Sequence, residues 1–441
     1  MLESIIERCR KVPLHRPEGV VLEVVGLIVE VGGVRAAVGD TLAIETLHQT
    51  TIEVEVIGFK ADRLVTTPLG SISGIRQGAR VAQTHRGASV IVGSELLGRV
   101  VDAFGRPIDG GRPLVSDDHY PVHAAPPSAF ARRPIHQQFS TGIRVLDGIL
   151  PIGIGQRMGI FAGAGVGKST LLGMICRSSQ ADVNVVGLIG ERGRELNEFI
   201  RSSLGEDGLS RSVVVAVTSD QPPLLRARGA ESATAIAEYF RDQGKTVLLV
   251  MDSVTRYAMA LREAALAAGE PPATKGYPPS VFAALPRLLE RAGTGGGEGT
   301  ISALYTVLVE GDDMNDPIAD SVRGILDGHI IMSRALAEKS HFPAIDVLQS
   351  ISRLAPEIAP EAMMKASSQV REVLAAYREA ADLIQVGAYQ AGSDPRVEIA
   401  IKLMPQFNAY LRQTVKERTS LAESRTRLQA LAKLCQAGER R

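Results

Sequence analysis

The sequence contains no tryptophan, and aromatic residues make up only 4% of its 441 residues. It has only three cysteines, Cys9, Cys176 and Cys435, which are widely separated and do not show zinc-ligand spacing. Three cysteines cannot all pair, which favours a reducing, cytoplasmic environment. No apolar run approaches the roughly 18 residues of a membrane-spanning helix, and residues 1–11 lack the apolar core of a signal peptide. These absences predict a cytoplasmic protein that does not cross a membrane.

The sequence also lacks an excess of either charge, because 49 lysines and arginines balance 49 aspartates and glutamates. This balance excludes a globally basic nucleic-acid-binding protein and a strongly acidic disordered chain. Hydrophobic residues make up 45% of the chain and charged residues 22%, which is typical of soluble globular proteins. The length predicts two to three domains with ample apolar surface for a core.

The first predicted domain, residues 1–86, contains a short amphipathic helix and a small antiparallel β-barrel. Leu2, Ile5, Ile6 and Cys9 recur at helical spacing, so residues 2–12 are expected to form the helix. The barrel is expected from five short β-rich runs separated by turns that contain glycine and aspartate. In sequence order, these runs are VVLEVVGLIVEV, DTLAIETL, TIEVEVIGF, DRLVTTPL and ARVAQ.

The second predicted domain, residues 87–355, has an α/β pattern, and the third, residues 356–441, is helical. The runs VNVVGLI, SVVVAV, TVLLVMD and ISALYTVL are apolar and barely alternate, as expected for buried parallel strands. Residues with helical period lie between them, which indicates a doubly wound arrangement. Beyond Pro356 no strand signal occurs; one helix is expected around residues 363–377 and another after Pro405.

The motif AGAGVGKS, residues 162–169, follows a strand-like run and precedes a helical one, which is the context of a phosphate-binding loop. Its glycines let backbone N–H groups turn toward phosphate oxygens. Lys168 would contact the β- and γ-phosphates, and the Ser169 hydroxyl would bind Mg²⁺. Ala162 occupies the motif's first position, which is usually glycine, and a chance glycine-rich turn is the alternative interpretation. The predicted nucleotide-binding residues here are Gly163, Ala164, Gly165, Val166, Gly167, Lys168, Ser169 and Thr170.

Two further carboxylates follow predicted strands. Asp252 ends TVLLVMD and could hold Mg²⁺ through water, although many buried strands end in aspartate at a turn. Glu191 and Arg192 follow VNVVGLI within GERGRE. A carboxylate that orients water and a cation that stabilises charge are the groups nucleoside triphosphate hydrolysis requires. An exposed charged loop remains an equal alternative for this segment.

With these motifs the chain resembles the catalytic subunits of rotary-type, RecA-like ATPases of the ATP synthase α/β family. The resemblance is carried by AGAGVGKS, GERGRE, VLLVMDSVTR and the run PAIDVLQSIS, which fits the family signature. Within that family the chain is most similar to ATPases of type III protein export. The segments LLGRVVDAFGRPIDGG and EGDDMNDPIAD support this likeness, and VGAYQAGSDP is more similar to the flagellar than to the injectisome branch.

The resemblance implies a RecA-like P-loop core that binds ATP and Mg²⁺, and it implies a role for individual residues. Glu191 matches the catalytic carboxylate, and Arg192 matches a phosphate-contacting arginine. Asp252 matches the Walker B carboxylate, and Arg256 matches an arginine near the γ-phosphate. Phe342 would stack on adenine, with core packing as the alternative. Arg353 would be an arginine finger for the neighbouring subunit, with a surface salt bridge as the alternative.

The resemblance further implies an ATP-hydrolysing homohexamer that lies peripherally at the inner face of the cytoplasmic membrane. Such a motor would energise export by unfolding substrates or releasing them from chaperones. The implied partners are a peripheral regulator of the ATPase, a coiled-coil stalk, the membrane export gate, and export chaperones with their substrates. Nucleic acid is not an expected partner.

Four alternatives to a flagellar export ATPase remain. An injectisome ATPase would share these motifs. An ATP synthase catalytic subunit would carry an acidic loop in its helical domain, and no such run follows Pro356. An RNA translocase would stack bases on barrel aromatics, but Phe59 is the only aromatic residue before residue 86. A non-catalytic ring subunit would lack a carboxylate at position 191.

Two other features have simple interpretations. His123, His136 and His341 do not show metal-ligand spacing and are expected to be structural. Residues 412–441 contain eight basic residues against three acidic ones, which predicts a solvated helical face. An adaptor-, cargo- or acidic-lipid-binding surface is the alternative for that segment.

Overall fold

The computed structural model describes residues 18–84, 87–116, 118–309, 311 and 313–439. The helix predicted at residues 2–12 lies outside these ranges. Within the described part of the chain, none of the helices combines the length and apolar composition needed to cross a bilayer.

The first region is a closed antiparallel barrel with strand order β1-β2-β5-β4-β3-β6, as the β-rich runs predicted. Alternate valines, leucines and isoleucines point inward from its strands and form a separate apolar core, which includes Val29, Leu42 and Val54. The barrel strands are β1 Glu18–Val25, β2 Ile28–Gly32, β3 Thr41–Glu45, β4 Thr51–Lys60, β5 Arg63–Pro68 and β6 Arg80–Gln83.

The central region contains a nine-stranded sheet, and helices cover both of its faces. The order along the sheet is β19-β18-β12-β17-β15-β13-β14-β8, and β16 pairs with β17. Neighbouring strands are parallel, except that β16 and β19 run antiparallel to their partners. The remaining strands of the chain are β7 Ser89–Ile91, β8 Val100–Val101, β9 His119–Pro121, β10 Gln138–Phe139, β11 Ile152–Gly153, β12 Arg157–Ala162, β13 Val183–Glu191, β14 Ser212–Thr218, β15 Thr246–Asp252, β16 Gly293–Thr294, β17 Thr300–Leu308, β18 Gly328–Met332 and β19 Ile351–Ser352.

The helices alternate with these strands, which confirms the predicted α/β pattern. In this region they are α1 Arg144–Gly148, α2 Lys168–Ser178, α3 Gly193–Glu198, α4 Gly205–Ser210, α5 Pro223–Asp242, α6 Val254–Ala267, α7 Pro279–Leu289, α8 Pro317–Ile325, α9 Arg334–Glu338 and α10 Ala355–Ile358. A π-helical turn, Phe199–Leu204, joins α3 to α4, and 3₁₀ turns occur at Ser94–Leu96, Ala129–Ala131 and Thr274–Gly276.

The C-terminal region is helical and contains α11 Glu361–Gln385, α12 Pro395–Leu411 and α13 Leu421–Glu439. A helix was expected after Pro405, and α13 lies there, but α12 was not expected; it begins ten residues before that proline and continues through it. Pro395 occupies the first turn of α12, and the Asp394 side chain accepts a hydrogen bond from the Arg396 backbone N–H. These are the usual signals of a helix start.

The C-terminal helices share an apolar core with one face of the central sheet. Met363, Val370, Phe407 and Leu428 pack in the same cluster as Leu171 from α2. Helices α5 to α8 form the core on the opposite face. The C-terminal region therefore packs on the side of the sheet that carries α2.

Candidate functional site

The carboxyl ends of β12, β13 and β15 lie along one edge of the sheet, and the predicted loop and carboxylates follow them. β17 separates β12 from β15, and β13 lies beyond β15. Ligands of open α/β sheets bind outside this edge. A cleft of about 470 Å³ lies there. Its lining includes Gly163, Ala164, Gly165, Gly167, Lys168, Ser169, Thr170, Glu191, Arg192, Asp252 and Arg256.

The loop between β12 and α2 has the backbone geometry of a phosphate cradle. Gly165 and Gly167 have φ angles of 78° and 89°, a region that residues with a Cβ atom rarely adopt. Val166 instead has a buried side chain, 1% exposed, which packs in the core next to α2. Its side chain therefore anchors the loop, and α2 begins at Lys168 with its positive N-terminal end at the cleft.

Lys168 and Asp252 form an ion pair inside the cleft. Lys168 Nζ lies 2.5 Å from Asp252 Oδ1, and both side chains are largely buried. The Thr306 hydroxyl, from β17 between them, donates to the same carboxylate oxygen at 2.7 Å. Sequence analysis missed Thr306, which no motif marks; only its place on the intervening strand gives it this contact.

Glu191 lies at the end of β13, opposite this pair. Burial, and next the negative charge of Asp252, raise the pKa of Glu191 to about 7, while Lys168 acts in the opposite direction. Its Oε1 atom is buried and has no hydrogen-bond partner among the described residues. A carboxylate with this pKa and a free oxygen can accept a proton or a hydrogen bond near neutral pH.

Arginines border the same cleft. The Arg256 Nε atom is buried and has no hydrogen-bond partner among the described residues. Gly190, just before Glu191, has a φ of 67° and lies close to this arginine. A side chain at position 190 would place its Cβ only 3.1 Å from Arg256 Cβ. Arg192 is exposed and pairs with Glu195 at 3.8 Å. Glu195 also lines the cleft and was not predicted, although it lies in the same GERGRE motif.

Phe342 lies beside the phosphate-binding loop, and this position contradicts the core-packing alternative. Its side chain is 45% exposed, and a Cβ on Gly167 would lie 3.4 Å from the ring. The ring lines a second cavity, of about 630 Å³, which shares Gly165, Gly167 and Thr170 with the cleft. Sequence analysis missed the other side of this cavity, residues 412–415 and 417.

Arg353 lies away from the cleft of its own chain. Its backbone N–H donates to Asp327 O, just before β18 begins, and its side chain donates to Arg323 O at 3.3 Å. β18 is parallel to β12, so this is the opposite end of the strands from the phosphate-binding loop. A strand of five to six residues separates the two ends by about 17–20 Å. Arg353 is exposed, and it makes no ion pair with the other described residues.

His123 lies between the barrel and the central region. His123 contacts Glu55 of the barrel at 3.7 Å and Glu231 of α5 at 3.5 Å. The described residues contain no cluster of three or more His, Cys, Asp or Glu side chains that could hold a metal ion by themselves. Cys176 and Cys435 are buried. A larger cavity, of about 710 Å³, lies around Tyr120 and the glycines at 295–297 and contains none of the predicted site residues.

Comparison with known proteins gives matches over most of the chain. Residues 142–352 match the model of the ATP synthase alpha/beta family nucleotide-binding domain, and residues 21–85 match its beta-barrel domain. Residues 359–430 match the T3SS EscN ATPase C-terminal domain.

Curated relatives of two kinds are about equally similar. The flagellum-specific ATP synthase of Pseudomonas aeruginosa is 51% identical over 94% of this chain and 93% of its own length. The type 3 secretion system ATPase of Xanthomonas euvesicatoria is 49% identical over 94% of both chains. Among solved structures, the assembled ATPase EscN from the type III secretion system of enteropathogenic E. coli is 43% identical, with a TM-score of 0.88. That match covers 94% of this chain and all of the other.

Proposed function

This chain belongs to the ATP synthase alpha/beta family, in the group formed by flagellum-specific and type 3 secretion system ATPases. We propose that it hydrolyses ATP at the cleft that lies at the carboxyl ends of β12, β13 and β15. The chain is an ATPase of this group; the roles of individual residues are our proposal. One observation carries it: a single cleft brings the phosphate-binding loop, Lys168, Glu191 and Asp252 together.

In the proposed reaction, backbone N–H groups of residues 163–167 and the Lys168 ammonium bind the phosphates of ATP. Glu191 accepts a hydrogen bond from the attacking water and orients it toward the γ-phosphate. Arg256 and Arg192 stabilise the charge on the transferred group, and Phe342 stacks on the adenine ring.

The residues of the cleft also fit Mg²⁺. Mg²⁺ keeps several waters and is typically held by one or two carboxylates together with substrate phosphates. The Ser169 hydroxyl and the Asp252 carboxylate are suitable oxygen ligands, the latter through water, and both line the cleft. The unpartnered Glu191 Oε1 atom shows that the cleft has acceptor capacity beyond its internal hydrogen bonds. When bound, Mg²⁺ would neutralise charge on the β- and γ-phosphates.

We propose that Arg353 acts on the cleft of a neighbouring copy in a homohexamer. Its exposed position and its place at the opposite end of the strands from its own cleft support this assignment. The solved EscN structure is of an assembled ATPase, which also supports a ring.

We further propose that the motor serves flagellar protein export, with an injectisome as the second candidate. The run VGAYQAGSDP supports the flagellar assignment, and the structural likeness to EscN supports the injectisome. EscN has also been solved with its central stalk EscO, which supports a coiled-coil stalk as a partner here. We also propose, from the resemblance, four further kinds of partner: a peripheral regulator, the export gate, chaperones and their substrates. A location at the inner membrane face and domain boundaries near residues 86 and 356 are proposals of the same kind.

Complementation tests the biological assignment. The gene would be expressed in one strain that lacks its flagellar export ATPase and in another that lacks its injectisome ATPase. Restored swimming and flagellin secretion in the first strain alone are expected. Rescue of injectisome secretion alone would contradict the flagellar proposal, and a Glu191→Gln variant, expected to rescue neither, is the control.

A further inference from the structure

Gln156 directly precedes β12 and lies at the same end of the central sheet as Arg353. Its side chain is fully buried, and it is not among the residues that line the cleft. We propose that Gln156 positions Arg353 by fixing the backbone from which this arginine extends toward the neighbouring subunit. This inference rests on the proposed function, since it concerns the arginine that is proposed to act between subunits.

The hydrogen bonds of the Gln156 side chain define how its amide is oriented. Its Oε1 atom accepts a hydrogen bond from the Gly153 backbone N–H at 2.7 Å. Because that donor requires the oxygen, the Nε2 group must face the other way. There it donates to Asp327 O at 3.1 Å and to Ser352 Oγ at 3.2 Å, and the weak acceptor Met158 Sδ lies at 3.3 Å. One amide therefore connects the start of β12 to the residue before β18 and to β19.

The carbonyl oxygen of Asp327 is shared between Gln156 and Arg353. It accepts hydrogen bonds from Gln156 Nε2 and from the Arg353 backbone N–H, the latter at 3.0 Å. A carbonyl oxygen has two lone pairs, so both bonds can form at once. Ser352, the other partner of Gln156, is the residue directly before Arg353. The glutamine therefore bonds both to the acceptor of the Arg353 N–H and to the preceding side chain.

β19, which ends directly before Arg353, is short and lies at the edge of the sheet. It contains two residues, Ile351–Ser352, and among the described strands it pairs with β18 alone. A pairing of this length supplies few ladder hydrogen bonds. Arg157 binds the Asp327 carboxylate through two hydrogen bonds of 3.0 Å, which fix the chain before β18. Gln156 also reaches β19, so its amide is the contact that fixes the strand next to the finger.

Gly328, the first residue of β18, leaves room for this contact. A Cβ at that position would lie 2.6 Å from Ile351 O and 2.7 Å from Met158 Sδ, which is closer than such atoms approach. A glycine within a strand often marks such a close approach of two chain segments. β12 and β19 therefore come together across β18 because position 328 has no side chain.

The two ends of β12 thus serve two different clefts. Its start fixes Arg353, and its end leads into the phosphate-binding loop of the same chain. An arginine finger acts only when its guanidinium reaches the transferred phosphoryl group, and a misplacement of about 1 Å can lower a rate by about 10²-fold. Loss of the Gln156 hydrogen bonds should therefore impair the neighbour's cleft and leave the chain's own cleft intact.

Gln156→Met tests this with a side chain of similar length that cannot donate a hydrogen bond. In assembled rings kcat should fall by about 10–100-fold, while KM for ATP changes much less. Asn184→Leu is the matched control, because Asn184 is a fully buried amide near the beginning of β13. Its Nδ2 group donates to Cys176 O and Ser212 Oγ. This control should lose thermal stability to a similar degree but keep kcat near the wild-type value.

Mixed rings distinguish a misplaced finger from a damaged cleft. Gln156→Met subunits keep an intact Glu191 cleft, so mixing them with Glu191→Gln subunits should raise activity above that of either parent. Mixing them with Arg353→Ala subunits should not, because neither partner then supplies a working finger. The reverse pattern, rescue by Arg353→Ala alone, would place the defect in the cleft and overturn the proposal. Rescue by neither variant, or wild-type turnover in folded Gln156→Met, would overturn it as well.

Ser352→Ala keeps the test decisive if Gln156→Met does not fold. It removes only the acceptor on β19, so kcat should fall several-fold with the same pattern of rescue, whereas Ser352→Thr keeps a hydroxyl and should stay near wild type. Full turnover in Ser352→Ala would then overturn the proposal. Failure of the proposed function has a different signature, since Arg353→Ala and Glu191→Gln subunits with Gln156 unchanged would fail to rescue each other.

Discussion

Lys168 Nζ lies 2.5 Å from Asp252 Oδ1 and so joins the phosphate-binding loop to the end of β15 across the intervening strand β17. The pair puts a cation where phosphates would bind and a carboxylate beside it. Lys168 also acts on Glu191, since its positive charge lowers the pKa that burial and Asp252 raise. In the proposed mechanism, Lys168 would therefore affect both phosphate binding and the protonation of Glu191.

Replacing Lys168 with alanine should weaken binding as well as turnover. The substitution removes the cation that would contact the β- and γ-phosphates. Equilibrium titration with a labelled ATP analogue would measure the loss. Thermal unfolding of the variant is the control, because Asp252 loses its charged partner. Unchanged affinity in a folded variant would mean that the loop does not bind phosphate as described.

Replacing Glu191 with glutamine should separate binding from turnover. The amide keeps the size of the side chain but cannot take a proton from water, while the phosphate contacts remain. Hydrolysis should fall by roughly 10²–10⁴-fold, and ATP affinity should change little. Phosphate release and the same titration measure the two quantities. Turnover within a few-fold of wild type would rule out Glu191 as the catalytic carboxylate.

The raised pKa of Glu191 predicts a pH profile. The deprotonated carboxylate is the active form, so kcat/KM should fall as the pH drops below about 7 and level off above it. The residual activity of Glu191→Gln should not show this fall in kcat/KM below about pH 7. A wild-type profile that is flat across this range would show that another group limits the reaction.

The parts of the site that the sequence predicted are those with local signals. The glycines and Lys168 occupy fixed positions between a strand and a helix, and Glu191 and Asp252 end apolar strands, so parallel pairing alone places them at one edge. The role of Phe342 was inferred from its position just before a family motif. The sequence predicted an antiparallel barrel, but it did not predict that β2 pairs with β5.

Other contacts depend on residues far apart in sequence, which local patterns cannot bring together. Gln413 contacts Gly142 from 271 positions away, and no pattern around either residue indicates the bond. Thr306 reaches Asp252 only because β17 lies between β12 and β15. Sequence analysis did not predict α12, which begins at Pro395 and continues through Pro405, because the helix was expected only after that proline.

Specific activity should depend on protein concentration if the site is completed by a second subunit. Arg353 lies at the opposite end of the strands from its own cleft, so a monomer lacks the finger. Activity per subunit should rise as rings assemble, and light scattering on the same samples would show assembly in parallel. Constant specific activity across the assembly transition would indicate that each monomer is complete.

The most direct test of catalysis between subunits mixes two inactive variants. Arg353→Ala should lower activity on the order of 10³-fold if it acts as an arginine finger, while each subunit still folds and binds ATP. Glu191→Gln should be inactive for a different reason, since it lacks the catalytic carboxylate. In a mixed ring, one kind of interface pairs an intact Glu191 cleft with an intact Arg353 from the neighbour.

The measurement is the ATPase activity of Arg353→Ala and Glu191→Gln subunits mixed in varying ratios, with co-assembly verified by differently tagged copies. The proposed arrangement predicts activity above either parent, greatest near equal amounts. Mixed rings that form but stay as inactive as both parents would contradict it and would mean that Arg353 does not act on a neighbouring subunit's cleft.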